Sequence, residues 1–77
     1  MPKIVPVHYK ILVKIFEAEG FVLARQKGDH LSYFKKGNPR PVVIPKWTEV
    51  PVFIIKNNLR TARISRERYF ELSKKEK

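Results

Sequence analysis

The spacing of apolar residues changes at Gly20, and this change limits the possible folds more than any other feature of the chain. Before Gly20 the apolar residues recur with a helical period, and from Phe21 onwards they alternate with polar residues as in a strand. Residues 6–19 are predicted to form an amphipathic helix, because Pro6 suits a first turn and Gly20 suits the position just past the end. Such a helix has to lie against another layer of structure.

Three short strands are predicted in the middle of the chain, over residues 21–27, 30–36 and 41–45. Gly28 and Asp29 form the first turn between them, and Gly37, Asn38 and Pro39 form the second. Strict alternation in the first strand separates two sets of side chains: Phe21, Leu23, Arg25 and Lys27 on one face, and Val22, Ala24 and Gln26 on the other. Sequential strands with short turns predict an antiparallel meander.

Two more helices are predicted towards the C-terminus. The first begins near Pro51 and has an apolar stripe formed by Val52, Ile55, Leu59 and Ala62. Its other side has a basic stripe, which suits contact with phosphates, with an acidic partner or only with water: Lys56, Arg60 and Arg63. Ser65 is predicted to cap the last helix, Ile64 and Tyr69 have the spacing of a hydrophobic staple, and the tail from Ser73 to Lys77 is expected to fray.

The predicted fold is therefore α+β, in the order α-β-β-β-α with a short extra C-terminal helix. It consists of a three-stranded antiparallel sheet with helices on one face. All 77 residues are expected to form a single domain, because so short a chain supports one core. Double-stranded-RNA-binding domains have the same order of elements, although order alone is weak evidence for function.

Positive charge is concentrated after Gly20. The chain has 17 Lys and Arg against 7 Asp and Glu, a net charge of +10, and its 43% of apolar residues is too high for a disordered basic tail. Residues 21–48 contain six basic residues and a single acid, Asp29. The surplus indicates a polyanionic partner such as nucleic acid, although a basic surface can also serve solubility alone.

Several classes of site are excluded by what the sequence lacks. There is no cysteine, so disulfides, thiolate zinc sites and cysteine nucleophiles are ruled out. No glycine-rich phosphate loop and no His-x-x-x-His pattern occurs, and neither a metal nor another cofactor is expected. No apolar run approaches the roughly 20 residues that span a bilayer, and the first residues do not read as a signal peptide. The expectation is a soluble cytoplasmic protein without a membrane partner.

His30 is the candidate catalytic residue, because it directly follows the turn between two strands and has basic neighbours in sequence. An imidazole beside cations is what RNA cleavage without a metal needs. It can take a proton from the 2′-hydroxyl or give one to the leaving 5′-oxygen, while the cations stabilise the phosphorane. The alternative is that His30 caps the turn or faces water. Seven basic residues are predicted to bind RNA: Arg25, Lys27, Lys35, Lys36, Lys46, Lys56 and Arg60.

Three residues are open as the second proton-transfer group: Lys27, Lys35 and Tyr33. Tyr33 and Trp47 are also candidates for stacking on bases, although an aromatic residue in a small protein more often packs in the core. His8, at the start of the first helix, is expected to be partly buried or to face solvent.

The run from Glu19 to His30 resembles the signature of HicA-type toxins, which are small messenger-RNA interferases. The family pattern is a helix that ends in Gly-Phe, then a strand, then Lys-Gly-Ser-His at the start of the second strand. The similarity continues through the valine-rich third strand, residues 42–45, and the segment 64–67, and covers about residues 7–72. The Gly-Phe and Gly-x-His elements are moderately specific, and the rest is patterning.

This resemblance implies a double-stranded-RNA-binding-like fold, the role of toxin in a type II toxin–antitoxin system, and cleavage of messenger RNA. It places His30 at the family's catalytic histidine and implies a HicB-type antitoxin that covers it. An acidic antitoxin also suits the charge of the chain. Asp29 stands where the family commonly has Ser; a carboxylate there favours a charged imidazole and repels a phosphate. Two other functions stay open: a non-catalytic RNA-binding module, and an interaction protein that docks an acidic partner.

Overall fold

The elements of the fold follow the predicted order. The computed structural model describes residues 3–75, and within them it forms α1 (Tyr9–Ala18), β1 (Val22–Lys27), β2 (His30–Phe34), β3 (Val42–Pro45), α2 (Val52–Ala62) and α3 (Arg66–Lys75). The strands form an antiparallel sheet in the order β1-β2-β3. The predicted α+β class and the extra C-terminal helix are thus confirmed.

Helix α1 begins later than predicted, because His8 rather than Pro6 marks its start. His8 has extended backbone angles, and its Nδ1 accepts the N–H of Lys10 at 3.2 Å, which satisfies one of the free donors of the first turn. The helix ends as predicted before Gly20, whose φ of 95° is a conformation that other residues rarely adopt. The chain then enters the sheet at Phe21, whose ring packs edge-on against Phe16.

The last helix begins where the sequence predicts it. Ser65 Oγ accepts the N–H of Arg68 at 3.1 Å, which confirms the predicted cap of α3. Ile64 and Tyr69 are both buried, as the predicted hydrophobic staple requires. Helix α3 runs through Lys75, and residues 76–77 of the tail that is expected to fray lie outside the described residues.

The prediction of strict alternation along β1 is also wrong, because the strand contains an irregularity at Ala24. Leu23 lies opposite Tyr33, but Arg25 lies opposite Ser32, so Ala24 is an extra residue in the ladder. Opposite residues in an antiparallel pair share a face. Leu23 is therefore on the face of buried Tyr33, whereas Arg25 is on the opposite face, which we call the outer face.

The hydrophobic core lies between the inner face of β2 and β3 and the three helices. On the sheet it is formed by Leu31, Tyr33, Val42 and Ile44. The helices contribute Leu12, Ile15, Phe16, Ile55, Leu59, Ala62, Tyr69 and Leu72. Strand β1 takes little part, since all six of its residues are exposed.

The buried stripe of α2 differs from the predicted one at two positions. Val52 is only half-buried, and Asn58 is 6% exposed among the apolar residues of the stripe. A second buried amide, Asn38, joins the turn after β2 to this helix, because its Nδ2 donates to Arg40 O at 2.8 Å and to Thr61 O at 3.1 Å. Helix α2 is thus held along the β3 edge of the sheet, where it contributes to the site described next.

Candidate active site

His30 is the first residue of β2, and its side chain is on the outer face of the sheet. The hairpin from β1 places it there: Gly28 has a φ of 59° while Asp29 does not have a positive φ, the pattern of a type II′ turn. His30 consequently lies opposite Lys27 on β1 and opposite Pro45 on β3. About half of its side chain, 53%, is exposed, so the imidazole is available to a ligand.

The carboxylate of Asp29 holds the imidazole in a defined orientation. Its Oδ1 lies 3.0 Å from His30 Nδ1, and its Oδ2 accepts the indole N–H of Trp47 at 3.2 Å. An ionised carboxylate can only accept hydrogen bonds, so Nδ1 is the ring nitrogen that can donate a proton to this contact. Nε2 makes no hydrogen bond within residues 3–75 and is therefore the nitrogen that can exchange a proton with a substrate.

Two backbone hydrogen bonds hold the segments that carry Asp29 and Trp47 in place. The carbonyl oxygen of Asp29 accepts the N–H of Lys46 at 2.6 Å, which ties the hairpin turn to the end of β3. The carbonyl oxygen of Trp47 accepts the N–H of Tyr9 at 3.1 Å, which ties the next residue to the start of α1. The hairpin that carries the imidazole and the carboxylate is thus tied to the segment that carries the indole, and that segment is tied to α1.

A groove of about 280 Å³ opens beside His30, between the outer face of β3 and helix α2. Its sheet side is mostly apolar and consists of Pro41, Val43, Pro45 and Trp47. Its helix side is mostly polar and consists of Ile54, Asn57, Asn58 and Thr61, which follow one another at the spacing of one helix face. The Nδ2 of Asn58 is buried and has no hydrogen-bond partner among the described residues.

Two of the predicted RNA-binding residues, Arg25 and Lys27, share the face of His30, and a third, Lys46, is close to it along the chain. Arg25 and Lys27 are exposed on the outer face of the neighbouring strand, since they pair with Ser32 and His30. Lys46 is exposed and follows Pro45, the residue opposite His30 on β3. A phosphate at the imidazole would thus have Arg25 and Lys27 on the strand beside it, and cations next to a phosphate stabilise a phosphorane.

Two further predicted residues, Lys56 and Arg60, lie on the neighbouring face of α2. They line a shallow depression that shares Ile54 and Asn57 with the groove beside His30. They therefore lie next to the groove and are not among the residues that line it with His30.

The structure does not bring Lys35 and Lys36 to His30. Both follow the far end of β2, and five residues of strand span about 16 Å. The ammonium group of Lys35 lies 5.7 Å from the ring of Phe21 instead. With Glu19 and Arg63, the two lysines line a different depression.

Of the three candidates for a second proton-transfer group, Lys27 is the one on the face of His30. Tyr33 is 3% exposed, on the inner face, and burial raises the pKa of its hydroxyl, with smaller contributions from Glu17 and Tyr9. Tyr33 is thus a core residue rather than a platform for bases. Trp47, 39% exposed, remains accessible to a ligand.

The sequence analysis missed the polar wall of the groove and the contact between Asp29 and Trp47. One signal for the wall was present: Asn58 stands one turn from Ile55 and Ala62 on the stripe that faces the core, where a polar residue is costly. No comparable signal marked the contact to Trp47, because the two residues are 18 positions apart.

Two features are absent from the described part of the chain, residues 3–75. No group of three or more His, Asp or Glu side chains is arranged to hold a metal ion. No helix there has both the length and the hydropathy to cross a membrane.

Comparison with known proteins finds one family. Residues 9–64, from the first residue of α1 into the connection between α2 and α3, match the sequence model of a family described as "HicA toxin of bacterial toxin-antitoxin". The match covers more than half of the 77 residues and includes the sheet, the hairpin turn and the groove. No curated protein and no solved structure matches the chain.

Proposed function

The chain belongs to the HicA toxin family, and from that premise we propose that it is an endoribonuclease that cleaves messenger RNA without a metal, with His30 as its acid–base group. Membership in the family makes the chain the toxin of a toxin–antitoxin pair. The observation that supports the chemistry is the array at the hairpin turn, where Asp29 Oδ1 lies 3.0 Å from His30 Nδ1 on a face that also presents Arg25 and Lys27.

The proposed reaction begins at Nε2 of His30, which accepts the proton of an RNA 2′-hydroxyl. The 2′-oxygen forms a bond to the adjacent phosphorus, and the bond from phosphorus to the 5′-oxygen breaks. The products are a 2′,3′-cyclic phosphate and a 5′-hydroxyl, and the 5′-oxygen takes up a proton from Lys27 or from water. Arg25, Lys27 and Lys46 stabilise the negative charge of the phosphorane. DNA lacks the 2′-hydroxyl and is not cut by this route.

The proposed partner is an acidic antitoxin of the HicB type that covers the outer face around His30. Charge complementarity supports this, since the toxin has a net charge of +10 and exposes Arg25 and Lys27 on the face of His30. Such a partner would block the approach of RNA to Nε2 and to the cations together.

Incubation of the purified protein with single-stranded RNA in the presence of EDTA tests the activity. We expect cleavage by the wild type and a decrease of about 10²- to 10⁴-fold in His30→Ala, the usual contribution of an acid–base group. His8→Asn is the matched control, because it alters the chain's other histidine while an Asn side chain can still cap α1. The same sequence as DNA should stay intact.

Two results would overturn the proposal. If the wild type and His30→Ala leave RNA equally intact, the catalytic role fails; salt-sensitive binding of RNA by both proteins would then indicate a non-catalytic RNA-binding module. If both proteins cut RNA equally fast, the activity comes from another group or from a contaminant. Tight binding to an acidic partner with no binding to RNA at low salt would indicate an interaction protein.

A further inference from the structure

The groove beside His30 has a polar wall that the cleavage chemistry does not require. We propose that this groove binds one unstacked nucleobase of a single-stranded RNA, next to the phosphate at His30. The inference deepens the proposed function, on which its choice of RNA as ligand rests. Three observations carry it: the buried amide of Asn58, the contrast between the two walls, and the cations beyond the groove.

The first observation is the buried amide of Asn58, which lacks a hydrogen-bond partner among the described residues. Its side chain is 6% exposed and lines the groove, and its Nδ2 has no partner within residues 3–75. A buried donor without a partner destabilises a protein by about 1–3 kcal/mol, a cost that Leu at this place on α2 would avoid. Because Nδ2 itself is shielded from solvent, a ligand in the groove removes this cost only when the amide rotates towards it. The terminal torsion of Asn has a broad, two-fold profile, so rotation presents either the nitrogen or the oxygen to the groove.

The walls of the groove match the two kinds of surface on a base. Asn57, Asn58 and Thr61 supply amide and hydroxyl groups on the helix side, and these both donate and accept hydrogen bonds, as the edge of a base requires. Val43 and Trp47 supply partly exposed apolar surface on the sheet side, which suits the face of a base. A groove of about 280 Å³ is at the lower end of small-molecule sites, near 300 Å³.

This geometry favours a single strand over a duplex. Domains that bind double-stranded RNA read its shape through contacts with sugars and phosphates across successive minor grooves, and they leave the bases stacked. A narrow groove with amides inside it can be filled only by a base that has left its stack. The bases of single-stranded RNA are available for this at low cost.

Basic residues lie beyond the groove in one direction along α2. Asn57 and Thr61 also line the next depression along α2, together with Arg40, Arg60 and Arg63. A strand with one base in the groove and its phosphate at His30 therefore has further positive charge beside the adjoining nucleotides. This places the RNA backbone along α2, whereas the base contacts come from the groove itself.

Intrinsic fluorescence provides the test, because Trp47 is the single tryptophan of the chain and lines the groove. The His30→Ala protein is titrated with RNA tetranucleotides of each base and with an abasic tetranucleotide of the same charge. We expect the tetranucleotides with bases to change the Trp47 emission, with affinities that differ between bases, and the abasic one to bind more weakly without that change.

Asn58→Leu, made in the same background, should weaken binding of the preferred tetranucleotide about tenfold and reduce the difference between bases. Its unfolding midpoint in urea should be equal or higher, because the substitution removes the buried amide. If this variant does not fold, Thr61→Val and Asn57→Ala are measured in its place, each with an expected weakening of about threefold. Lys36→Ala, beyond the far end of β2, is the control and should retain the preference between bases.

Equal affinity for abasic and base-containing tetranucleotides, or an unchanged base preference in Asn58→Leu, would overturn the nucleobase site. Failure of the proposed function is distinguishable from this. If the wild type does not cleave RNA while Trp47 still reports base-dependent binding that Asn58→Leu weakens, the nucleobase site stands without the catalysis. If the wild type cleaves RNA but binding does not depend on the base, the catalysis stands and the nucleobase site is refuted.

Discussion

Replacement of Asp29 by Ala tests the orienting role of this carboxylate. The change removes the acceptor of the 3.0 Å contact with His30 Nδ1 and of the 3.2 Å hydrogen bond from Trp47. The imidazole is then free to rotate about its side-chain torsions, and Nε2 spends less time directed at the substrate. We expect slower cleavage of RNA with little change in stability, because both side chains of the pair are more than half exposed.

Two effects of opposite sign determine the magnitude. An exposed ion pair contributes about 0.2–1 kcal/mol and a hydrogen bond to a charged group about 1.5–3 kcal/mol, so the orienting contact at this solvated position is worth about 1–1.5 kcal/mol. Against it, a carboxylate about 7 Å from a phosphate repels it by about 0.6 kcal/mol in water, and salt at about 0.15 M reduces this to about 0.3 kcal/mol. Orientation therefore dominates by about 1 kcal/mol, which corresponds to an approximately fivefold slower reaction.

The assay is single-turnover cleavage of one RNA by the wild type, Asp29→Ala and Asp29→Asn, with His30→Ala as the baseline. Asn retains an acceptor oxygen of the same shape, so its rate should lie between those of the other two. The deficit of Asp29→Ala should shrink at low salt, where the wild type experiences more repulsion from its own carboxylate. If Asp29→Ala is as fast as the wild type, or faster, at about 0.15 M salt, the orienting role of Asp29 is refuted.

Two further predictions concern the basic residues and the response to pH. Lys27→Ala should reduce the slope of log affinity against log salt for single-stranded RNA by about 0.7, which is the effect of one lost phosphate contact. Lys36→Ala should leave the contacts at His30 intact. If the two substitutions affect cleavage equally, the assigned site is contradicted. Burial raises the pKa of Tyr69, so the folded state favours the neutral phenol: this contribution to stability is complete below a pH of about 10 and is lost as pH rises through the folded pKa. Urea unfolding should therefore show a smaller alkaline loss of stability for Tyr69→Phe than for the wild type, and parallel losses would argue against this role.

Much of the fold was predictable because its signals are local. The change of period at Gly20 separates α1 from the sheet, and the cap at Ser65 begins α3 where the sequence predicts it. The hairpin turn at Gly28 depends on two residues, so the position of His30 at the start of β2 followed from the sequence as well.

The faces of β1 were predicted wrongly because a single extra residue changes them. Ala24 is an extra residue in the ladder. The side chains of the strand residues before it therefore point to the opposite face from the one that strict alternation predicts. The turn places Arg25 and Lys27 on the outer face with His30, and the extra residue places Leu23 on the inner face. Ala24 carries no sequence signal for an irregularity, since its cause is the pairing with β2.

What the sequence by itself determined is the order of the elements, the stripes of the helices and the turn that presents His30 beside Lys27, because each depends on residues within a few positions of one another. Only the tertiary structure decided what surrounds the imidazole. Asp29 accepts a hydrogen bond from Trp47, and His30 lines one groove with the amides of α2. Both follow from the packing of β3 and α2 beside the hairpin, which long stretches of chain separate from it in sequence. The same packing leaves Lys35 and Lys36 at the far end of β2, although they are closer to His30 in sequence than Asn58 is.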